Sequence, residues 1–151
     1  MTLLRFASLL FTALALGPAL AHLLELLNKI DLPREEYLIV QQLYSGWALL
    51  GIVVFGALLS TLLLAIASRR QRGQFIAALV AFLCVSGTQA IFWTFTYPAN
   101  QETANWTLLP EHWRALRTQW EYSHAASAAL NLAAFIAVCC AVLARPGTSR
   151  G

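Results

Sequence analysis

Four long apolar stretches constrain the fold of this chain more than any other feature of its sequence. They lie at about residues 3–27, 40–67, 75–97 and 110–144. A helix needs about 20 mostly apolar residues to cross a bilayer. Only 11% of the residues are charged and 59% are hydrophobic, whereas a soluble domain carries about 25% charged residues. The sequence therefore predicts an all-α fold, in which residues 1–151 form a single domain, an integral membrane four-helix bundle.

Arginines gather at three places that lie on one side of a membrane if the chain crosses it four times. They are Arg5 near the N-terminus, Arg69, Arg70 and Arg72 between the second and third stretches, and Arg145 and Arg150 near the C-terminus. Short loops rich in Lys and Arg stay in the cytoplasm, so we predict a multi-pass protein with both termini cytoplasmic. Its arginine and alanine content favours a bacterial inner membrane. The basic residues form no patch with interleaved aromatic side chains, so the predicted partner is the lipid bilayer and no nucleic acid. The sequence does not indicate an oligomeric state.

The first stretch allows a second interpretation. The run Gly17-Pro18-Ala19-Leu20-Ala21, which follows Arg5 and an apolar segment, resembles a signal peptide with its cleavage site. Cleavage after Ala21 would make His22 the N-terminal residue. Apolar residues continue through Leu27, which favours an uncleaved helix, and the remaining topology is the same in both cases.

Aromatic residues and a proline predict the ends of the two middle helices. Tyr44 and Trp47 would open the second helix, and Trp93 and Tyr97 would close the third, because such side chains favour the membrane–water interface. Pro98 predicts that the third helix stops there, since proline has no N–H and its ring obstructs the preceding turn.

Two mirrored spacings place ionisable residues inside the apolar helices. One is His22-x-x-Glu25 near the end of the first stretch, and the other is Glu121-x-x-His124 near the start of the last. Residues three apart share one face of a helix. If the two helices run in opposite directions, each histidine lies deeper than its glutamate, and the motifs can meet as a histidine layer below a glutamate layer. Ionisable groups at such depth indicate a functional site.

A polar stripe continues the second motif along the fourth helix. Trp113, Arg117, Glu121, His124, Ala128 and Asn131 recur at steps of three or four residues and therefore lie on one face. Arg117 and Glu121 can pair at the i,i+4 spacing. A polar stripe facing lipid would be costly, so we expect it to face the bundle interior.

Aromatic side chains at the same level predict a pocket open toward the outer face of the membrane. Tyr44, Trp47, Trp93 and Trp120 would form walls suited to a flat aromatic ligand, and Gln89 adds a polar group. The predicted substrate is an apolar aromatic small molecule of phenolic or quinol-like character. The candidate substrate-binding residues from this reasoning are Tyr44, Trp47, Gln89, Trp93, Arg117, Trp120 and Asn131.

Three chemistries and one structural role remain open for His22, Glu25, Glu121 and His124. First, the four side chains could bind a single zinc, iron or copper ion; a di-iron site is disfavoured because the middle helices supply no carboxylate. Second, His22 and His124 could be the axial ligands of haem b, although the adjacent glutamates and the lack of a glycine gap argue against it. Third, without a cofactor, a His–Glu pair could act as a catalytic general base. Finally, the glutamates could snorkel to the interface while the histidines serve in packing.

The closing region resembles a known family. The pattern Pro98-x-Asn100 … Asn105-Trp106 … Trp113-x-x-x-Arg117-x-x-Trp120-Glu121-x-x-His124, together with Ala21-His22-x-x-Glu25, is similar to a small four-helix membrane family of mostly unknown function that includes the anthrone oxygenases.

That resemblance implies an oxidoreductase that converts an anthrone to an anthraquinone with molecular oxygen and no added cofactor. Under it, His22 and His124 are candidate bases, Asn100 and Arg117 candidate binders of an anion or carbonyl, and Trp120 a pocket wall. The alternative class is a non-catalytic membrane protein, which binds a metal ion or haem through His22 and His124 or stabilises a partner subunit.

Overall fold

The computed structural model describes residues 1–144. It is 85% helical, with no strand in that part of the chain. Four of its helices are long and apolar enough to cross a membrane, which confirms the all-α class and the number of long helices. The helices are α1 (Thr2–Lys29), α2 (Arg34–Gln41), α3 (Leu50–Ser68), α4 (Arg72–Ile91), α5 (Tyr97–Glu102) and α6 (Trp113–Leu143).

The four long helices form a closed ring in which each packs on two neighbours. Helix α1 packs on α3 and α6, and α4 packs on the same two helices. Small buried residues, among them Ala57, Ala78, Ala81 and Ala134, line the interior. They allow close backbone approach, as is common between membrane helices.

Both ends of the described chain lie at one end of this bundle, together with the arginine turn. The side-chain amide of Gln74, beside that turn, donates to the carbonyl of Ala144 at 2.8 Å. Arg5 donates to Gln74 Oε1 at 3.4 Å. Arg145 and Arg150, which contributed to the predicted topology, lie outside the described residues.

The opposite end, called the capped end below, is covered by α2, α5 and the segments that follow each of them. A buried cluster holds these pieces together: Tyr37, Ala99, Trp106, Leu109, Trp113, Leu116 and Trp120. Arg34 Nη2 also donates to the Leu109 carbonyl at 2.8 Å. This cap covers the ends of α1 and α6 that carry the two mirrored motifs.

The second long helix begins later than predicted. Tyr44 does not open it; a separate helix, α2, ends at Gln41, and a 3-10 turn covers Gln42–Tyr44. Gly46 then adopts the left-handed conformation, with φ of 83°, which breaks the helical path and which glycine alone adopts without strain. A second 3-10 turn, Trp47–Leu49, leads directly into α3.

The predicted stop at Pro98 is wrong, because the helical path continues to Glu102. A π-helical turn, Phe92–Thr96, joins α4 to α5, and Pro98 lies in the first turn of α5. In a π turn the backbone N–H of residue i bonds to the carbonyl of residue i−5 instead of i−4. Pro98, which has no N–H to donate, lies beside this change of hydrogen-bond register. Gln119 Nε2 donates to the exposed carbonyl of Phe95 at 2.8 Å, which supports the distorted turn.

Candidate functional site

The two histidines of the mirrored motifs meet at the α1–α6 interface. Their rings stack with centroids 4.2 Å apart and planes at 23°. Helices α1 and α6 run in opposite directions and pack along their length, so motifs of opposite sequence order come together. Among residues 1–144, the buried atoms His22 Nδ1 and His124 Nε2 have no hydrogen-bond partner. Each ring therefore keeps one nitrogen free to exchange a proton with another group.

Three aromatic rings surround the stacked pair. Tyr44, Trp47 and Trp120 lie 4.5, 5.4 and 5.1 Å from the His22 ring, measured between centroids. Trp120 also packs edge-on against His124 at 4.2 Å. We call these three rings the aromatic cage. They come from three parts of the chain: the 3-10 turn Gln42–Tyr44, the 3-10 turn Trp47–Leu49, and α6.

One helical turn toward the capped end, the two glutamates share a lysine. Lys29 Nζ lies 3.3 Å from Glu25 Oε2 and 3.4 Å from Glu121 Oε1. It donates to the Tyr44 hydroxyl at 2.6 Å, and that hydroxyl donates in turn to Glu25. Lys29 is only 3% exposed, so its charge depends on these partners for stabilisation.

Glu121 is the most deeply buried carboxylate of the site, with its side chain fully inaccessible. Tyr37 on α2 donates to Glu121 Oε1 at 3.0 Å, and Gln41 donates to the Tyr37 hydroxyl at 2.6 Å. The second oxygen, Glu121 Oε2, is buried and has no hydrogen-bond partner in the part of the chain that the structure describes. This carboxylate can therefore accept one more hydrogen bond or a proton.

The two tyrosines are held in their neutral form. Burial, the adjacent negative charge of Glu121 and the hydrogen bond to it raise the pKa of Tyr37 far above its ordinary value. Burial and the hydrogen bond to Glu25 raise the pKa of Tyr44 in the same direction. Both hydroxyls therefore act as proton donors to carboxylates at neutral pH.

Arg117 does not pair with Glu121 as predicted. Its Nη1 donates to the Leu32 carbonyl at 2.8 Å, and its guanidinium lies over the rings of Trp113 and Tyr37, 4.7 and 5.3 Å from their centroids. Helical side chains lean toward the N-terminus of their helix, so Arg117 points toward the cap and away from Glu121. Lys29 occupies the position that was expected for Arg117.

Asn100 stabilises two tryptophans. Its Oδ1 accepts hydrogen bonds from Trp106 Nε1 at 3.1 Å and Trp120 Nε1 at 2.9 Å. Asn100 therefore fixes the orientation of Trp120, one wall of the aromatic cage.

Besides Asn100 and Arg117, three more of the predicted substrate-binding residues lie outside the cage. Trp93 is 60% exposed, and its ring packs against Tyr97, 5.0 Å between centroids. Gln89 donates to its neighbour Thr88 at 3.3 Å. Asn131, two helical turns beyond His124, donates to the Ser127 carbonyl at 3.0 Å.

Sequence reasoning missed Lys29 and Tyr37. Lys29 stands four residues after Glu25 and seven after His22, on the same helical face. That spacing was a usable signal. Tyr37 gave none, because only the folding of α2 over the bundle brings it to Glu121.

The side chains do not fit a metal ion or a haem. Among the residues from 1 to 144, no group of three or more His, Cys, Asp or Glu side chains is arranged to hold a metal. The ammonium of Lys29 lies between the two carboxylates, and it repels a cation there. The two imidazoles stack face to face at 4.2 Å, so their in-plane lone pairs do not converge, and no macrocycle fits between them.

The three cage rings pack around His22 at the place of the predicted pocket. A separate apolar groove of about 410 Å³ lies between the π turn and α6. Its lining residues are Ile91, Phe95, Thr118, Gln119, Tyr122, Ser123 and Ala126. By helical periodicity, those on α6 lie largely on the side away from Glu121 and His124.

Comparison with known proteins places the chain in no family. No family model matches it, and neither a curated protein nor a solved structure matches. What the chain does is therefore argued from its own residues.

Proposed function

We propose that this chain is a multi-pass protein of a bacterial inner membrane, with both termini in the cytoplasm. Large apolar side chains on the outer faces of the helices support the proposal, since a water-soluble protein rarely exposes so many. Examples are Ile52, Phe55, Leu59, Leu83 and Ile136, each at least 46% exposed. The arginine turn between α3 and α4 then lies on the cytoplasmic side by the positive-inside rule, and the capped end faces outward.

Within that setting we propose an oxidoreductase similar to the anthrone oxygenases, acting on a flat phenolic or quinol-like substrate. The observation that carries the proposal is the stacked pair His22–His124, whose two buried ring nitrogens have no partner. A neutral imidazole with a free nitrogen is the side chain best suited to take a proton at neutral pH. The aromatic cage supplies flat apolar surfaces beside it.

The chemistry balances without a cofactor. A histidine removes a proton from the methylene carbon of the anthrone, and the carbanion reduces oxygen and forms a carbon–peroxide bond. The imidazolium returns its proton to the peroxide. The second methylene hydrogen and the terminal OH of the peroxide then leave as water, and the carbonyl remains. One methylene and one O₂ therefore give one ketone and one water.

A substrate reaches the pair by displacing a cage ring. Trp47 is the candidate for this movement, because it is only partly buried and lies on a short 3-10 turn directly after the left-handed Gly46. Trp120, in contrast, is 4% exposed and tied to Asn100.

Oxygen uptake by the purified protein in nanodiscs, with a dihydroxyanthrone as substrate, tests the proposal. His22→Phe and His124→Phe keep a stacking ring but remove the base, so each should lower kcat/KM by about 100-fold to 10,000-fold, the usual contribution of a general base. Trp93→Phe, at the exposed ring outside the cage, is the matched control and should retain activity. Circular dichroism and gel filtration should show that all variants are folded.

Two results would overturn the proposal. If both histidine variants oxidise the anthrone at the wild-type rate, the pair is not the base. If the folded wild type consumes no oxygen with this substrate, a non-catalytic role is favoured, in which the Lys29 cluster only fastens α2 to α1 and α6. Metal analysis and an absorption spectrum of the same sample complete the test, since stoichiometric metal or a Soret band would contradict a cofactor-free site.

A further inference from the structure

We infer that Lys29, Tyr44 and Glu25 form a proton-conducting path between the buried carboxylate of Glu121 and the aqueous surface at the capped end. The inference deepens the proposed function and rests on it: in that function, the path sets the protonation state of the site before the substrate binds. The path itself exists or fails independently of any substrate.

The geometry of the path is continuous. From Glu121 Oε1 the next group is Lys29 Nζ at 3.4 Å, followed by the Tyr44 hydroxyl at 2.6 Å and then Glu25 Oε2, to which that hydroxyl donates. The exposed fraction rises along this series, from 0% for the Glu121 side chain and 4% for Lys29 to 43% for Glu25. The path therefore leads from a fully buried carboxylate to one at the surface of the bundle.

Each step transfers one proton and conserves charge. Tyr44 passes its hydroxyl proton to Glu25 and receives one from the Lys29 ammonium. The neutral amine of Lys29 then takes the proton held by Glu121. The net result moves one proton from Glu121 to Glu25, with Lys29 and Tyr44 returned to their initial states.

The ion cluster leaves one buried acceptor unused. Lys29 compensates one carboxylate, while Glu121 Oε2 is buried and has no hydrogen-bond partner among residues 1–144. A buried carboxylate oxygen without a partner is costly, so a proton on Glu121 would relieve it. Arg117 does not neutralise Glu121, since it bonds to the Leu32 carbonyl.

The titratable and charged groups that face this region are His22, Glu25 and Lys29 from α1, Tyr37 from α2, Tyr44 from the following turn, and Arg117, Glu121 and His124 from α6.

Infrared spectroscopy of the protein in nanodiscs, with exchange from H₂O to D₂O, tests the path without substrate. The carboxylic acid band that disappears in Glu121→Gln is assigned to Glu121, and its shift on deuteration gives the exchange rate. In the wild type we expect exchange as fast as mixing. Glu25→Gln should slow it by about 100-fold or more, the lower range for loss of a positioned proton-transfer group, because both the Tyr44 route and the direct Lys29–Glu25 contact of 3.3 Å end at Glu25. Trp93→Phe should leave it unchanged.

Lys29→Met provides a second variant if Glu25→Gln does not fold, because it removes the group through which both routes leave Glu121. It should also slow exchange. The inference is overturned if either variant exchanges at the wild-type rate, or if Glu121 exchanges slowly or shows no acid band at any pH at which the protein is folded. Loss of anthrone oxidation with intact exchange would contradict the proposed function alone.

Discussion

Replacing Lys29 with methionine should destabilise this protein more than any surface change, for an electrostatic reason. Methionine preserves the length and apolar stem of the side chain but removes the ammonium between two carboxylates. The partner Glu121 is fully buried, and removal of one member of a buried ion pair costs about 3–5 kcal/mol. The half-exposed partner Glu25 adds at most about 1 kcal/mol. We therefore expect Lys29→Met to lower the free energy of unfolding by about 4 kcal/mol at neutral pH.

A double-mutant cycle separates this electrostatic loss from a packing loss. Glu121→Gln removes the uncompensated charge while keeping an acceptor for the Tyr37 hydroxyl. Lys29→Met combined with Glu121→Gln should recover about 2–3 kcal/mol of the loss, within the usual range of coupling between groups in contact. Glu25→Gln is the control and should cost about 1 kcal/mol or less.

Equilibrium unfolding in mixed micelles, followed by circular dichroism, measures these differences. The deficit of Lys29→Met should also shrink in acid, because protonation of Glu121 removes the unpaired charge. The reasoning is refuted if Lys29→Met costs less than about 1 kcal/mol, or if the double variant is as unstable as the sum of the single variants at neutral pH.

Two further predictions concern pH and packing. Unfolded tyrosines ionise above about pH 10, whereas the raised pKa values keep Tyr37 and Tyr44 neutral in the folded protein. The free energy of unfolding should therefore fall above that pH by about 1.4 kcal/mol per pH unit for each tyrosine. In Tyr37→Phe and Tyr44→Phe, its slope against pH should be correspondingly smaller. An unchanged slope would contradict the assignment. A Cβ at Gly56 would lie 2.5 Å from the Phe11 ring, so thermal unfolding should show Gly56→Ala destabilised by about 1–3 kcal/mol. Gly17→Ala, which meets no atom within 4 Å, should show no such loss, and equal effects of the two would argue against the close contact.

Local sequence patterns predicted the large-scale features that depend on one segment at a time. Apolar length specified four long helices, and the arginine turn predicted which ends lie together. The mirrored spacing specified that His22 and His124 share a level once α1 and α6 are antiparallel. These features follow from helical periodicity and from the cost of burying charge, and both can be recognised within a single stretch of consecutive residues.

Only the tertiary structure decided what lies between those helices. Lys29 replaces Arg117 as the partner of Glu121. The i,i+4 spacing allowed Arg117 to pair with Glu121, but the Arg117 side chain points toward the cap and α1 brings Lys29 to Glu121. Tyr37 reaches the site because α2 folds over the bundle, and the helical path continues through Pro98, which lies in the first turn of α5 directly after a π turn. Such contacts join residues far apart in sequence, and their geometry depends on packing that no single segment specifies.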